Sequence, residues 1–144
     1  FVSRGDASGT YTKEKAIWAL AGLQYDTDVR GSEGWYIEAG AGMGPTLVMA
    51  DEKAAYTLAD VGTFASYRKD LALVPVVEQG DVLLNVYSAI AVKPAQGAGH
   101  LDMANNLVAF LTSDDVQDLI GKYGVEDYGM PLFIPCRGAA VCQE

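Results

Sequence analysis

The sequence predicts an α/β fold, because stretches with the periodicity of an amphipathic helix alternate with short apolar runs of strand length. Its 144 residues are enough for one ordinary domain or for two small lobes. Half of the residues are hydrophobic and 20% are charged, a composition that excludes an intrinsically disordered chain. No apolar run approaches the roughly 20 residues that a membrane-spanning helix requires.

The first predicted elements are a strand end, a loop and a helix. Phe1 and Val2 end a strand, and small and polar residues form a loop over 3–10. Apolar residues at helical spacing predict a helix over 11–25, with Lys13 and Glu14 on its polar side. Ser8 or Thr10 can cap the beginning of this helix.

The middle of the chain is predicted to contain a helix and three strands. After a polar loop, a helix runs over 43–56, and Pro45 fits its first turn. Short strands follow over 57–60, 71–77 and 83–92, the last two rich in β-branched residues. The run 83–92 is the best candidate for a strand that crosses between two lobes.

The C-terminal part is predicted to be helical. A helix runs over 101–111, and Ser113 or Asp114 caps a further helix that ends near Tyr123. His100 lies before the first of these helices and has no second histidine or cysteine nearby. We therefore expect no metal ligand there.

The charge of the chain excludes several classes of partner. Ten Lys and Arg against nineteen Asp and Glu give a net charge of −9, and no basic cluster is present. Nucleic acid and anionic membrane surfaces are therefore poor partners. One histidine and two cysteines also exclude the usual His- and Cys-rich metal sites.

The ends of the chain carry two further expectations. Phe1 is not preceded by a basic stretch and an apolar segment, so we expect a processed chain or a fragment rather than one with a signal peptide. Cys136 and Cys142 form an isolated pair that is predicted to close a disulfide, which favours an oxidising compartment. The alternative is two free thiols in a mobile tail.

The loop over 3–10, Ser-Arg-Gly-Asp-Ala-Ser-Gly-Thr, is the strongest candidate for a binding site. The N-terminus of the following helix carries unpaired N–H donors and a partial positive charge, a combination that binds anions. The guanidinium of Arg4 adds a planar set of donors, and Gly9 allows a ligand to approach the backbone closely. Hydroxyl donors are available on Ser3, Ser8 and Thr10. The alternative reading is that Ser8 or Thr10 only caps the helix and that Arg4 pairs with Asp6 or another carboxylate.

A hydrolase is not favoured by the same loop. Ser8 does not occupy the middle position of a G-x-S-x-G motif. The one histidine, His100, is the only candidate base, and nothing in the sequence brings it near Ser8. We therefore predict a protein that is not an enzyme and uses no cofactor.

The loop over 3–10 resembles the S-R-G-D-x-S-G-T segment of the tungstate-binding proteins of ABC transporters. The resemblance continues with Gly-Trp-Tyr-Ile-Glu-Ala-Gly-Ala-Gly-Met-Gly at 34–44 and Ala-Tyr-Thr-Leu-Ala-Asp at 55–60. Shorter matching segments, in the family's order, lie at 62–63, 80–81, 84–87 and 131–133. It covers nearly the whole chain, with Ala7 replacing an acidic residue that is frequent in the family.

The resemblance implies a type II periplasmic-binding-protein-like fold. Residues 1–87 would form the second α/β lobe with the oxyanion loop, and residues 88–144 a crossing strand and the C-terminal helices of the first lobe. Arg4 and Thr10 match the family's oxyanion ligands, whereas Ser8 and Gly9 match the start of the same helix. Asp6 also matches, and we expect it to orient Arg4 or to cap the loop. The family has an earlier lobe that carries a second set of donors.

The function implied by the resemblance is capture of a tetrahedral oxyanion, tungstate or molybdate, for an ABC transporter permease in the periplasm or outside the cell. The oxyanion is the cargo, so no resident metal is expected. A second copy of the chain, in a homodimer, or a missing N-terminal segment would complete the lobe. The alternative is an interaction or sensor module that keeps the fold without transport, motivated by the unusual ends of the chain.

Overall fold

The computed structural model describes residues 1–92 and 99–136. Cys142 lies outside these residues, so its disulfide with Cys136 stays a prediction. The chain divides between Leu84 and Asn85 into two compact units. No helix in the described part of the chain is long and apolar enough to cross a membrane.

The first unit is built around a short parallel pair of strands, β1 (Val2–Ser3) and β2 (Ile37–Glu38). Val2 lies opposite Ile37 and Ser3 opposite Glu38. On the other side of β1, the N–H of Val2 donates to the carbonyl of Tyr56 at 2.8 Å. The backbone of β1 is thus flanked on both sides, and the strand end expected at Phe1 and Val2 is confirmed.

Helix α1 (Gly9–Leu20) follows β1 after a five-residue loop. Ser8 is its N-cap, as expected, because its hydroxyl oxygen accepts the N–H of Tyr11 at 3.2 Å. The helix ends earlier than predicted, and Gly22 follows it with a φ of +80° that suits glycine. A single π-helical turn then spans Tyr25–Val29 in the segment expected as a polar loop.

Helix α2 (Met43–Glu52) follows β2, and helix α3 (Val61–Tyr67) begins after Asp60. Asp60 caps α3 by accepting the N–H of Thr63 at 2.8 Å. The end predicted for α2, near Tyr56, was four residues too late. The chain leaves the helix at Ala54, whose φ is +48°, and the N–H of Ala55 donates back to the carbonyl of Ala50 at 2.9 Å.

The strands expected over 57–60, 71–77 and 83–92 are absent from the described structure, which is a correction to the sequence analysis. The flanking segments form 3₁₀ turns at Arg68–Asp70 and Asp81–Leu83. The β-branched composition of the last two runs favoured strands, but a strand forms only where a neighbouring segment supplies hydrogen-bonding partners. In residues 1–92 and 99–136, β1 and β2 are the only paired strands.

The second unit is helical where it is described, with α4 (Leu101–Leu111), α5 (Asp114–Lys122) and α6 (Val125–Tyr128). The bounds predicted for α4 are confirmed, and Ser113 stands at the N-cap position of α5. Gly124 has a φ of +93°, and a Cβ there would lie 2.5 Å from Cγ of Leu132. The sharp turn after α5 therefore requires glycine.

Among the residues that the structure describes, the buried hydrophobic side chains all lie in the first unit. Its buried hydrophobic residues are Val2, Val29, Met43, Leu47 and Ala50. Three polar residues share this interior, namely Ser3, Glu14 and Thr46. The α/β expectation is thus confirmed in a coarse form, as helices around a small parallel sheet whose strand β1 is fully buried.

Candidate functional site

The candidate site lies at the carboxyl ends of β1 and β2, where each strand leads through a loop into a helix. The two loops run side by side: the N–H of Ala39 donates to the carbonyl of Ser3 at 2.8 Å, and that of Ala41 to Arg4 at 3.3 Å. The carboxyl edge of parallel strands is the usual ligand-binding edge of α/β folds. We call residues 3–10 the oxyanion loop.

Gly5 allows this close approach of the two loops. Its φ is +61°, and a Cβ built on it would lie 2.6 Å from the Cβ of Glu38. Any other residue would clash with β2 and would adopt a backbone conformation that costs free energy. Gly5 therefore fixes the path of the oxyanion loop over β2.

Arg4 and Asp6 form an ion pair within the loop. Nη2 of Arg4 lies 2.6 Å from Oδ2 of Asp6, and Nε donates to the same oxygen at 3.1 Å. The other carboxylate oxygen accepts the N–H of Ser8 at 3.1 Å. Hydrogen bonds from Ser8 and Arg4 hold the pKa of Asp6 below its usual value. Asp6 therefore orients Arg4 and also braces the start of α1.

The first turn of α1 offers further donors. Across the described residues, the N–H groups of Gly9 and Thr10 have no acceptor, as is usual for the first residues of a helix. The oxygen of Ser8 accepts the N–H of Tyr11, and the Ser8 hydroxyl also acts on the carboxylate of Asp6, whose pKa it lowers. Arg4, Ser8, Gly9 and Thr10 are thus brought together by one short loop.

Ser3 is placed differently from the expectation that its hydroxyl would donate to a ligand. The residue is 1% exposed, and its hydroxyl donates to Oε2 of Glu14 at 2.6 Å. Its oxygen accepts the N–H of Gly5 at 3.2 Å. A hydroxyl has one proton, so in this arrangement Ser3 supports the loop from beneath.

Beneath the loop lies a polar network that the sequence analysis missed. Glu14, expected on the polar side of α1, is only 3% exposed, which corrects that expectation. Its carboxylate accepts hydrogen bonds from Ser3, from Nε1 of Trp18 at 3.1 Å and from the hydroxyl of Tyr36 at 2.8 Å. The sequence carried no signal for this network, because its tyrosines at 11, 25 and 36 lie 14 and 11 residues apart and only the fold brings them together.

Glu38 forms the second half of this network. Its Oε1 accepts the hydroxyls of Tyr25 at 2.6 Å and Tyr11 at 3.0 Å, and its Oε2 lies 3.3 Å from Arg30. The Tyr25 hydroxyl holds the pKa of Glu38 below its usual value. Burial raises the pKa of Tyr36 to about 12. The tyrosines are therefore neutral donors and the carboxylate is an ionised acceptor.

In residues 1–92 and 99–136, no three His, Cys, Asp or Glu side chains are arranged to hold a metal ion. His100 stands before α4 without capping it and is exposed. The donor set of the oxyanion loop consists of N–H and O–H groups, which suits an anion rather than a cation.

Comparison with known proteins identifies the family. Residues 1–115 match the PBP superfamily domain, so the chain belongs to that superfamily. It is 43% identical over 136 residues to the tungstate-binding protein TupA of Peptoclostridium acidaminophilum, which covers 94% of this chain and 46% of that protein. It is 41% identical over 141 residues to a putative ABC transporter anion-binding protein of Haloferax volcanii, covering 94% and 39%.

The fold agrees with a solved relative as well. The crystal structure of the tungstate ABC transporter from Geobacter sulfurreducens matches with a TM-score of 0.58 and 32% identity, over 85% of this chain and 50% of that one. These findings confirm the resemblance to tungstate-binding proteins and a family of binding proteins rather than enzymes. The chain spans about half the length of the relatives it matches.

Proposed function

We propose that this chain carries an oxyanion-binding part of a solute-binding protein that captures tungstate or molybdate for an ABC transporter. The single observation that carries the proposal is the oxyanion loop, in which an oriented arginine stands beside the free N–H groups of a helix start. The relatives named as tungstate- and anion-binding proteins support the choice of ligand.

The proposed ligand residues contribute three kinds of donor. The guanidinium of Arg4 supplies positive charge and retains donors beyond the two used by Asp6. Gly9 and Thr10 supply backbone N–H groups, and the hydroxyls of Ser8 and Thr10 can donate to further oxygens of the anion. A tetrahedral dianion presents four acceptor oxygens and no donors, so this set matches it chemically.

Asp6 plays a secondary role in the proposal. Its carboxylate repels an anion, but it neutralises only part of Arg4 and fixes the direction of the guanidinium. The net charge of −9 also repels anions at long range, although salt screens that repulsion beyond about 8–10 Å. Short-range donors therefore decide whether the anion binds.

The lobe assignment belongs to the same proposal. Residues 1–87 would form the second lobe of a type II binding protein, and residues 88–144 the C-terminal part of the first lobe. Donors from an earlier segment or from a second copy of this chain would complete the cage around the anion. The permease of an ABC transporter would be the downstream partner, and the periplasm or the cell exterior the location.

Isothermal titration calorimetry with tungstate tests the function, with molybdate and sulfate as comparison anions. We expect saturable heat with tungstate and none with sulfate. Arg4→Ala should weaken tungstate binding by at least about tenfold, because a hydrogen bond from a charged group contributes about 1.5–3 kcal/mol.

Arg68→Ala is the matched control, because Arg68 is an exposed arginine in a 3₁₀ turn of the same unit. Its affinity should equal that of the parent chain. Equal affinities of Arg4→Ala and the parent chain would remove Arg4 from the site. If the 144-residue chain gives no heat, the titration is repeated on the full-length protein, where absence of binding would refute the proposal.

A further inference from the structure

Glu14 is a buried carboxylate to which neither the proposed function nor the sequence analysis gives a role. It lies in the second turn of α1, is 3% exposed, and accepts hydrogen bonds from Ser3, Trp18 and Tyr36. Among the residues that the structure describes, neither ion pair includes it. Burying a carboxylate costs free energy unless other hydrogen bonds replace those that it makes with water. The three donors to Glu14 supply that replacement.

The hydrogen bond from Ser3 has a fixed direction. A carboxylate only accepts, and therefore the one hydroxyl proton of Ser3 points to Glu14. The lone pairs of the Ser3 oxygen then face away from Glu14, and one of them accepts the N–H of Gly5 at 3.2 Å. Gly5 is the residue whose left-handed turn passes over β2 and joins Arg4 to Asp6.

We propose that Glu14 is a positioning residue of the oxyanion loop: its buried carboxylate takes the Ser3 proton, so that the Ser3 oxygen holds the Gly5 N–H and fixes the turn that carries Arg4. In naming an oxyanion as the ligand, this inference rests on the proposed function. It also assigns Ser3 to the support of the loop instead of to direct contact with the anion.

Glu14→Gln separates this role from simple packing. The amide has the same shape, and its oxygen can still accept from Trp18 and Tyr36. Its NH₂ group then faces Ser3 and donates to the Ser3 oxygen, which reverses the direction of that hydrogen bond. The Ser3 oxygen is less able to hold Gly5 as well, and the turn at Gly5 loosens while the core stays filled.

The experiment is amide hydrogen exchange of the full 144-residue chain measured by NMR, with the rate at Gly5 divided by the rate at Leu47 in the core helix α2. We expect Glu14→Gln and Ser3→Ala each to raise the Gly5 ratio by about tenfold or more. The reason is that the amide exchanges only after its hydrogen bond to the Ser3 oxygen has opened. The double variant should exceed Ser3→Ala by less than about twofold, since both changes remove the same interaction.

Trp18→Phe is the matched control, because it removes another donor to Glu14 without touching Ser3. It should lower the unfolding midpoint and leave the Gly5 ratio within about twofold of the parent value. A Gly5 ratio in Glu14→Gln equal to that of the parent chain or of Trp18→Phe would overturn the proposal. If Glu14→Gln does not fold, Glu14→Asp replaces it, with the same direction expected.

Tungstate affinity gives the second readout. Glu14→Gln should weaken binding by about tenfold, because a small misplacement of a binding group carries a penalty of this order, and Trp18→Phe should bind like the parent chain. Parent-like affinity in Glu14→Gln would overturn the role in binding. A full-length protein that binds no tungstate would refute the proposed function, while the exchange ratios at Gly5 still decide the role of Glu14.

Discussion

At the scale of single residues, hydrogen bonds between side chains and backbone hold the oxyanion loop in its conformation. Asp6 accepts from Arg4 with one oxygen and from Ser8 with the other, so a single carboxylate links the charged donor to the helix start. Gly5 packs against Glu38, and Glu38 in turn accepts from Tyr11 and Tyr25. The loop therefore packs against a glutamate side chain that two tyrosine hydroxyls hold in place.

Gly5→Ala should destabilise the first unit by about 1–3 kcal/mol, because it combines a left-handed backbone with a clash against β2. Urea unfolding measures this. Gly9→Ala is the matched control: a Cβ there meets nothing within 4 Å and the residue is already helical, so stability should change by less than about 0.5 kcal/mol. Similar losses in both variants would contradict the close approach at Gly5.

The stability of the first unit should depend on the ionisation of Glu38. Its pKa is lowered from the usual value of 4.5 by the hydroxyls of Tyr25 and Tyr11 and by Arg30. A lowered folded-state pKa stabilises the fold above the usual value, and this contribution is lost as the pH falls below it. Thermal unfolding from pH 3 to pH 7 should therefore show a falling midpoint below about pH 4.5.

Glu38→Gln should lower the midpoint at pH 7 and flatten its decline in acid, because the amide does not ionise. Glu52→Gln, at an exposed carboxylate at the end of α2, should leave both unchanged. An acid profile of Glu38→Gln that runs parallel to that of the parent chain would mean that other groups cause the decline.

At the scale of elements, helices α1, α2, α4 and α5 were predicted, whereas the strands expected over 57–60, 71–77 and 83–92 did not form. The beginning of α1 at its Ser8 cap and the bounds of α4 were expected from local residues. The short helix α3 was missed, although Asp60 three residues before Thr63 is a recognisable cap. Helix signals are local in the chain, whereas a strand requires a partner that is distant in sequence.

Ser8→Ala should destabilise the first unit by about 0.5–2 kcal/mol, because the N–H of Tyr11 loses its acceptor at the start of α1. Chemical unfolding measures the loss. Ser66→Ala is the control, since Ser66 lies near the end of α3 and its hydroxyl only donates to the carbonyl of Thr63. A Ser8→Ala variant no less stable than Ser66→Ala would show that the cap contributes nothing.

At the scale of the whole molecule, the exposed apolar surface is the dominant feature. Many large hydrophobic side chains of the described residues are exposed, among them Ile90 at 80%, Val92 at 79% and Phe110 at 58%. Exposed apolar side chains in such number are typical of a surface that contacts another polypeptide.

We therefore predict that the 144-residue chain self-associates through these exposed apolar side chains. Sedimentation velocity should show a weight-average coefficient that rises with protein concentration. Ile90→Lys combined with Phe110→Lys should reduce this rise, and Lys69→Glu, at an exposed polar site, should not. A strictly monomeric chain at all concentrations would contradict the prediction.

The sequence by itself determined the start of α1 at its Ser8 cap, the bounds of α4 and the superfamily to which the chain belongs. These depend on residues that are close along the chain, or on a motif that is a continuous segment. Only the tertiary structure decided which apolar runs pair as strands, that Ser3 faces inward, and that Glu14 is buried beneath the loop. Hydrogen bonds between distant residues and burial of a charge depend on what packs against each group, and local sequence does not encode that neighbour.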